Sequence, residues 1–313
     1  MKEGMIMIIN TGQRTDIPAY YSEWFFNRIK EGYVYVRNPY FPQRVTKYVL
    51  NPRVVDCLCF CSKNPKPMLA RLDELKEYRQ FWFVTITPYS KDIEPYVPYV
   101  KEVIETFKVL SLKVGKHAVG WRYDPIFISP KYSLDFHKKA FEYIARELSN
   151  YTNQCVISFI DLYQKTIKNF PDVKQVSHRD KHMIAKEFSI IARRYGMQLY
   201  TCAEGDDFKQ YGINTNGCMS KNVIEKVIGE ELLLKPKSIR EGCTCLIGND
   251  IGVYNSCLHG CLYCYANYSN DLVKHNFSLH DSLSPLLIGH IEENDILIDA
   301  KQKSDINYQL SLF

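Results

Sequence analysis

The sequence lacks the segments that would place it in a membrane or outside the cell. It has no run of about 18 apolar residues that could cross a bilayer. Its first apolar run, Met5–Ile9, is too short for the core of a secretory signal peptide and is better explained as a strand. We therefore expect a cytoplasmic protein, in a reducing compartment where clustered cysteines bind metal more often than they form disulfides.

The sequence also lacks the charge pattern and the catalytic motifs of several large protein classes. Its formal net charge is +5, and Lys and Arg are interleaved with Asp and Glu, which gives little support to nucleic-acid binding. No Ser–His–Asp arrangement, phosphate-binding glycine loop or dinucleotide fingerprint is present. What the sequence does have is 11 cysteines, a high count for 313 residues.

Short apolar runs alternate with amphipathic segments along most of the chain. The runs are rich in β-branched and aromatic residues and apolar on both faces, which predicts strands of a buried parallel sheet. They are Met5–Asn10, Val54–Cys61, Phe81–Thr87, His117–Arg122, Cys155–Asp161 and Gln198–Cys202. Helices are predicted over Ala19–Glu31, Lys66–Arg79, Pro95–Lys113, Ser133–Leu148 and Ser177–Tyr195. A hairpin is predicted from Tyr33–Arg37 and Val45–Leu50.

Six strand–helix repeats predict an α/β fold with a parallel sheet, either open or closed. Most of the apolar runs end in polar residues, and in a barrel such residues from many strands meet at one mouth. We therefore predict a TIM-like parallel barrel, complete or partial, over residues 1–229. The alternation then stops, and residues 230–313 are predicted to form a cysteine-rich, metal-binding extension packed over the barrel mouth.

Three closely spaced cysteines are the sharpest signal in the sequence. Cys257, Cys261 and Cys264 are separated by three and then two residues, so one loop can wrap around a cubane iron–sulfur cluster and leave its fourth iron open. Gly260 would allow the backbone to turn tightly. The alternative is a structural zinc site with His259 as fourth ligand. However, His259 lies between cysteines in a tight loop, and structural zinc sites more often use paired C-x2-C units.

A second set of cysteines could hold another metal centre. Cys243 and Cys245 form a C-x-C pair, and Cys202 and Cys218 could complete four thiolates around an auxiliary cluster or a zinc ion. Cys202 could equally be a small buried residue. The strand cysteines are predicted to fill buried positions, because alternate strand residues lie about 6.6 Å apart and suit a single small ion poorly. They are Cys57, Cys59, Cys61 and Cys155.

Polar residues at the strand ends are candidates for binding a cofactor or a substrate. An Arg can bind a carboxylate in bidentate fashion, and an acidic side chain can hold an α-amino group or ribose hydroxyls. For any one of them, a salt bridge within the protein is an equally good explanation. The candidates are Arg14, Asp16, Arg122, Asp124, Asp161, Lys165, Glu204 and Asp206.

The cysteine spacing resembles that of the radical-SAM superfamily, whose signature has an aromatic residue just before the last cysteine, as Tyr263 is here. The continuation Tyr265-Ala266-Asn267 is similar to the spore photoproduct lyase branch. The resemblance implies a 4Fe–4S cluster on the three cysteines and S-adenosylmethionine (SAM) on the open iron. Tyr263 would lie beside the adenine, and the strand-end residues would bind SAM or the substrate.

The same resemblance implies a reaction. Reduction of the cluster would cleave SAM to a 5′-deoxyadenosyl radical that abstracts a hydrogen atom from an unknown substrate, which could be a nucleic acid. A reducing partner such as flavodoxin or ferredoxin would supply the electron. In the superfamily the motif normally follows the first strand, whereas here it lies near residue 260, and no glycine-rich stretch ending in Glu is recognisable after the second strand.

Seven stretches resemble an uncharacterised, mainly bacterial family known as domain of unknown function 1848, and the resemblance runs from about Asn10 to Gly289. They are Arg14–Ala19, Val36–Pro39, Lys63–Pro65, Trp121–Ile126, Ile157–Asp161, Thr201–Glu204 and Asp250–Asn267. The resemblance implies a barrel-like fold and an iron–sulfur site but no reaction. Two alternatives therefore stay open: a non-catalytic module stabilised by zinc or a cluster, and an iron–sulfur electron carrier or redox sensor.

Overall fold

The computed structural model describes residues 7–233, 244–246 and 248–307. Its strands are β1 (Ile8–Asn10), β2 (Tyr33–Arg37), β3 (Arg44–Val49), β4 (Cys57–Ser62), β5 (Gln80–Thr85), β6 (Val119–Ile126), β7 (Gln154–Phe159), β8 (Gln198–Thr201), β9 (Asn249–Asp250) and β10 (Ile296–Asp299). Its α-helices are α1 (Ile17–Tyr20), α2 (Ser22–Glu31), α3 (Val100–Val114), α4 (Leu134–Leu148), α5 (Gln164–Asn169), α6 (His178–Arg194), α7 (Lys221–Ile228) and α8 (Asn270–Ser278). Two 3₁₀ helices span Lys66–Leu75 and Asp207–Tyr211.

The central sheet has seven parallel strands in the order β8-β7-β6-β5-β4-β1-β9. From β1 to β8 the spatial order follows the chain, once the β2–β3 hairpin is set aside, so this part of the sheet has no switch point of the doubly wound type. The predicted α/β class with a parallel sheet is confirmed. In the part of the chain that the structure describes, β8 and β9 are the two edges of the sheet.

The two faces of the sheet are covered differently. One face packs on α2, α3, α4 and α6 in the main core, which includes Trp24, Trp82 and Trp121. The opposite face carries alternate strand residues such as Ile8 and Cys59, and it packs on α7 and the segment around Cys245. Successive parallel strands joined by right-handed crossovers place their helices on one side of a sheet, so this asymmetry follows from the sequential strand order.

The C-terminal segment supplies a strand to each of two sheets. β9 pairs with β1 at the edge of the central sheet, with Asn10 opposite Asp250. β2 and β3 form the predicted antiparallel hairpin, and β10 adds to β3 in parallel, with Ile296 opposite Arg44. β9 and β10, which both follow residue 230, are therefore part of the central sheet and of the smaller sheet, respectively.

Helix boundaries follow local capping signals in most cases. Ser133 and Ser177 accept hydrogen bonds from the third residue of α4 and α6, respectively, and α2 ends at Gly32, whose φ is 77°. The helix predicted to start at Pro95 starts instead at Val100, because prolines at 95 and 98 disfavour helical backbone before them. The helix predicted from Lys66 is a 3₁₀ helix. Within the described ranges, no helix has both the length and the apolar character needed to cross a membrane.

Candidate metal centre

The loop with the three closely spaced cysteines starts directly after β9, at the carboxyl end of the sheet. The backbone N–H of Ile251 donates to the carbonyl of Asn10 over 3.0 Å, so the chain leaves the sheet beside the end of β1. The loop turns at Gly260, whose φ is 68°. A Cβ at that position would lie 3.1 Å from the ring of Tyr96. The predicted tight turn at Gly260 is therefore confirmed, and it needs glycine both for its backbone conformation and for space.

The segment between β5 and α3 holds this cysteine loop by its backbone. The N–H of Leu262 donates to the carbonyl of Ile93 over 3.0 Å, and the N–H of Tyr96 donates to the carbonyl of His259 over 3.1 Å. Tyr96, which lies in the first turn of the predicted helix, is thus in a non-helical turn and binds the loop through its backbone.

His259, the alternative zinc ligand, is buried and has both ring nitrogens occupied. Its Nε2 lies 2.7 Å from Oδ2 of Asp16, and its Nδ1 lies 3.0 Å from the hydroxyl of Tyr20. An imidazole in this arrangement fixes the loop against the segment after β1. It has no lone pair left for a metal in this conformation, because each nitrogen already shares a proton with a protein oxygen.

Asp16 connects three parts of the carboxyl edge. Its Oδ1 accepts the N–H of Ala19 over 3.1 Å and caps α1, while its Oδ2 accepts the N–H of Lys63 over 2.8 Å in addition to His259. The carboxylate is buried. Its role is therefore structural: it connects the segments after β1 and β4 to each other and to the cysteine loop.

The three thiols of the loop influence one another electrostatically. Burial raises the pKa of Cys257, Cys261 and Cys264, and the neighbouring thiols raise the pKa of Cys257 and Cys261 further. Two ammonium groups act in the opposite direction, since Lys63 lowers the pKa of Cys261 and Lys165 lowers that of Cys264. All three side chains keep some solvent exposure. Each of the three thiols thus has another thiol or a cation near enough to affect its pKa.

A buried ion pair lies near the thiol of Cys261. Nζ of Lys63 is 2.9 Å from Oε1 of Glu94, which also accepts hydrogen bonds from the hydroxyls of Thr87, at 2.6 Å, and Tyr263. Burial disfavours the charged form of Lys63, but Glu94 and Cys261 raise its pKa above the ordinary value, so the side chain stays cationic. Tyr263 is held by this network at the position next to Cys264.

The strand-end residues predicted to bind a cofactor are engaged mainly with one another. Arg14 donates to both the side chain and the carbonyl of Asp250, with its Nε 2.8 Å from Oδ2. Arg122 pairs with Asp124 and also points a guanidinium nitrogen at the sulfur of Cys218, 3.6 Å away. These contacts agree with the second explanation given from the sequence, namely that the strand-end residues form salt bridges within the protein.

The remaining strand-end candidates lie beyond β7 and β8. Glu204 accepts the N–H of Phe159 over 2.7 Å and the ammonium of Lys181 over 2.9 Å, and its side chain is nearly buried. Asp161 is exposed and accepts a hydrogen bond from its neighbour Tyr163. The other two candidates are Lys165, which lies over the ring of Tyr254, and Asp206, which is exposed and pairs with Lys209.

Two members of the second cysteine set come together, although they are far apart in the sequence. The sulfurs of Cys218 and Cys245 are 3.8 Å apart. Cys202, which follows β8, is near enough to Cys218 to affect its pKa. Cys243 lies outside the described residues. Among the strand cysteines, Cys57, Cys59 and Cys155 are buried, as predicted, and Cys61 is partly exposed near Arg122.

The structure also groups residues that the sequence analysis missed. His178 and His182 on α6 and Asp207 in the second 3₁₀ helix place three possible metal-binding atoms within 4.8 Å of one another. The two Nε2 atoms are 3.1 Å apart. An H-x3-H spacing on one helix face could have revealed the pair, but Asp207 could be added only by the fold. His178 and Asp207 are exposed, so these three side chains lie at the surface.

Comparison with known proteins identifies one family. Residues 8–266 match the family model described as Domain of unknown function (DUF1848), which agrees with the resemblance drawn from the sequence motifs. The match extends through the cysteine loop. No curated protein matches the chain.

Proposed function

We propose that the chain, which belongs to the family described as Domain of unknown function (DUF1848), is an iron–sulfur protein that works as a radical-SAM-type enzyme. One observation carries the proposal. The loop brings three partly exposed thiols to the carboxyl end of the sheet, while its histidine is fully engaged by Asp16 and Tyr20. The three thiols therefore lack the fourth protein ligand that His259 would give a structural zinc site.

The residues present fit a cluster with an open iron. Three thiolates on one loop match the three protein ligands such a cluster requires, and the ammonium groups of Lys63 and Lys165 offset part of their negative charge. The partial exposure of Cys257, Cys261 and Cys264 leaves a route for a small molecule to reach the centre.

The order of strands in space accounts for the unusual position of the motif in the sequence. In the radical-SAM superfamily the motif normally follows the first strand. Here it follows β9, which lies beside β1 at the edge of the sheet, so β9 comes first in the spatial order β9-β1-β4-β5-β6-β7-β8. The sheet would then be a partial barrel with helices on its outer face. The cysteine loop would reach the mouth of this barrel from the end of β9, the first strand in space.

Buried polar atoms without partners support a ligand at this end of the sheet. In the described part of the chain they include Nδ2 of Asn10, at the end of β1, Oγ1 of Thr15 and Oδ1 of Asn267. The amide of Asn267 also donates to the carbonyl of Cys257 over 2.7 Å. Native proteins leave few buried polar atoms unsatisfied, so these three atoms are our candidates to bind SAM alongside the strand-end residues.

When bound and reduced, the cluster would supply the electron that cleaves SAM. The protein would contribute positioning. Asp16 and Tyr20 orient the loop through His259, and Lys63 places a positive charge beside Cys261. Glu94 holds Tyr263 by its hydroxyl, which fixes the aromatic ring next to the last cysteine. Gln13, Arg14 and Asp16 of the loop after β1 would border the SAM site, with Asp16 acting through His259.

The test is SAM cleavage by the reduced protein. The chain is reconstituted anaerobically, reduced with dithionite and given SAM, and 5′-deoxyadenosine is measured by chromatography. We expect deoxyadenosine from the wild type and none from the triple variant Cys257→Ala, Cys261→Ala, Cys264→Ala. A fully loaded, reduced protein that makes no deoxyadenosine, and whose EPR spectrum SAM leaves unchanged, would instead be an electron carrier. Zinc with little iron would point to a metal-stabilised binding module.

A further inference from the structure

Two histidines and an aspartate converge where α6 meets the second 3₁₀ helix. α6 begins at His178, and His182 lies about one turn further along the same helix face. The 3₁₀ helix, which follows β8, begins at Asp207. One possible ligand atom from each of the three side chains lies within 4.8 Å of the other two. Two separate chain segments therefore bring a pair of imidazoles and a carboxylate to one place.

This group lies toward the carboxyl end of the central sheet. Lys181, in the first turn of α6, is 2.9 Å from Glu204, a residue just beyond β8. The same carboxylate accepts the N–H of Phe159, the last residue of β7. The start of α6 is thus held beside the ends of β7 and β8. Ligands of parallel α/β proteins bind at this end of the strands, so a metal site here would be suitably placed.

The two imidazoles are spaced for one shared ion. Their Nε2 atoms are 3.1 Å apart. An ion that lies about 2.1 Å from each of two donors separates them by about 3.0 Å at a right angle and about 3.4 Å at a tetrahedral angle. Oδ2 of Asp207 is 3.9 Å from Nε2 of His178, which is too far for a hydrogen bond. Because the side chain of Asp207 is exposed, a small rotation can bring its carboxylate to the ion.

The ring of His182 has a hydrogen-bond partner on the side opposite to His178. Its Nδ1 lies 3.0 Å from the hydroxyl of Tyr211, and the ring makes edge-on contacts with Tyr211 and Phe208. Phe208 is buried in the main core. When Nδ1 donates its proton to the Tyr211 oxygen, Nε2 has a lone pair for a metal. Metal-binding histidines almost always have such a second partner, which fixes the tautomer and the ring orientation.

Another surface pair of the chain shows what distinguishes this group. Nε2 of His290 is 3.9 Å from Oδ2 of Asp281, the same separation as between His178 and Asp207. In the described part of the chain, however, His290 belongs to no group of three possible metal ligands. A histidine near an aspartate is therefore not distinctive by itself. The second imidazole and its hydroxyl partner are the additional features, and His290 is a matched control.

We propose that His178, His182 and Asp207 bind a divalent transition-metal ion, for which zinc is the probe. Two imidazoles and one carboxylate form a donor set that zinc accepts, with water in the remaining position. Because His178 and Asp207 are exposed, that position would be open to a further ligand. The ion would connect the start of α6 to the second 3₁₀ helix. The inference does not depend on the iron–sulfur proposal, because none of these ligands belongs to the cysteine loop.

The test is nitrogen NMR of the full-length protein, labelled at histidine and titrated with zinc. Zinc should shift the Nε2 signals of His178 and His182, assigned through His178→Gln and His182→Gln, and leave the signals of His290 unchanged. The histidine signals report this site even when zinc also binds to thiols elsewhere. His290→Gln should show the same titration as the wild type. In the double variant His178→Gln, His182→Gln, zinc should shift no histidine signal.

Two further variants separate a metal site from two imidazoles that merely share a proton. Tyr211→Phe keeps the ring but removes the hydroxyl, and it should weaken zinc binding by about 10–100-fold. Asp207→Asn, at an exposed position, should also weaken it. Zinc that leaves His178 and His182 unshifted would overturn the proposal. So would an affinity that is the same in the wild type, Tyr211→Phe and Asp207→Asn. Either failure leaves the iron content of the wild type untouched, so the two proposals fail separately.

Discussion

The imidazole Nε2 of His259 lies 2.7 Å from Oδ2 of Asp16, although the two residues are 243 positions apart in the chain. The same carboxylate caps α1 through Ala19 and accepts the N–H of Lys63. The cysteine loop is thus bound, through His259, to one buried acidic group that follows the first strand of the chain.

Replacing Asp16 should loosen the cysteine loop. In Asp16→Asn an NH2 group, which can only donate, replaces one carboxylate oxygen. At least one buried N–H therefore loses its acceptor. We expect the free energy of unfolding to fall by about 2–4 kcal/mol, measured by urea denaturation. Asp161→Asn, at an exposed acidic residue of the same edge, should change it by less than about 0.5 kcal/mol. Equal effects of the two substitutions would show that the Asp16 contacts contribute little.

Gly260 should tolerate alanine less well than another glycine of the same conformation. Gly260 and Gly289 have φ values of 68° and 74°. Alanine at either position costs about 1–2 kcal/mol for the left-handed backbone. A Cβ at 260 would also meet the ring of Tyr96 at 3.1 Å, whereas nothing lies within 4 Å of one at 289.

We therefore expect Gly260→Ala to lower the free energy of unfolding by about 1–3 kcal/mol more than Gly289→Ala. Gly260→Ala should also bind less iron after reconstitution, while Gly289→Ala should bind as much as the wild type. Iron contents that do not differ would contradict the assigned role of the turn.

Lys63 and Glu94 should show strong coupling in a double-mutant cycle. Lys63→Gln leaves the carboxylate of Glu94 buried without its cation, which should cost about 3–5 kcal/mol of unfolding free energy. In the double variant Lys63→Gln, Glu94→Gln no buried charge is left unpaired, and much of that loss should be recovered. Urea denaturation of the two single variants and the double variant gives the coupling energy. Losses of unfolding free energy that are strictly additive would contradict the predicted coupling.

The stability of the fold should fall in mild acid because of His137. Its ring is buried, with Nε2 2.8 Å from the carbonyl of Phe127 and Nδ1 2.7 Å from the hydroxyl of Tyr123. Burial lowers its pKa to about 4, although the hydrogen bond to the carbonyl of Phe127 raises the pKa and offsets part of this effect. In the unfolded chain a histidine has a pKa of about 6.5, so between these values the unfolded state binds the proton more readily.

The contribution of neutral His137 is therefore complete above about pH 6.5 and is lost as the pH falls to about 4, with a total of about 3 kcal/mol. Urea denaturation at several pH values should show this slope in the wild type and in His290→Gln, an exposed control. It should be absent in His137→Gln. A slope that persists in His137→Gln would assign the acid sensitivity to other groups.

Much of the fold follows from patterns that are local in the sequence. The six apolar runs all became strands of the parallel sheet, and Ser133, Ser177 and Gly32 mark helix ends because capping depends on neighbouring residues alone. The backbone hydrogen bonds of Ile93 and Tyr96 to the loop were missed, since the helical periodicity of the segment from Pro95 onward concealed the effect of its two prolines.

The candidate site was predictable only where its residues are close in sequence. Spacing alone made Cys257, Cys261 and Cys264 candidates for a cluster, which stays a prediction. The roles of Lys63 and Glu94 could not be read from the sequence, because their pairing depends on which strands are neighbours. The pairing of Arg14 with Asp250 likewise requires β9 to lie beside β1. No local pattern indicates that this two-residue strand, Asn249–Asp250, joins the sheet there.

The metal content of the anaerobically purified protein tests the central claim most directly. The wild type and Cys155→Ala should each contain about four iron atoms and about four sulfides per chain after reconstitution, with the broad visible absorption of a 4Fe–4S cluster. Cys257→Ala should lose most of both. Iron and sulfide that are equal in Cys257→Ala and the wild type, or a wild type that takes up zinc on this loop and no iron, would contradict the account.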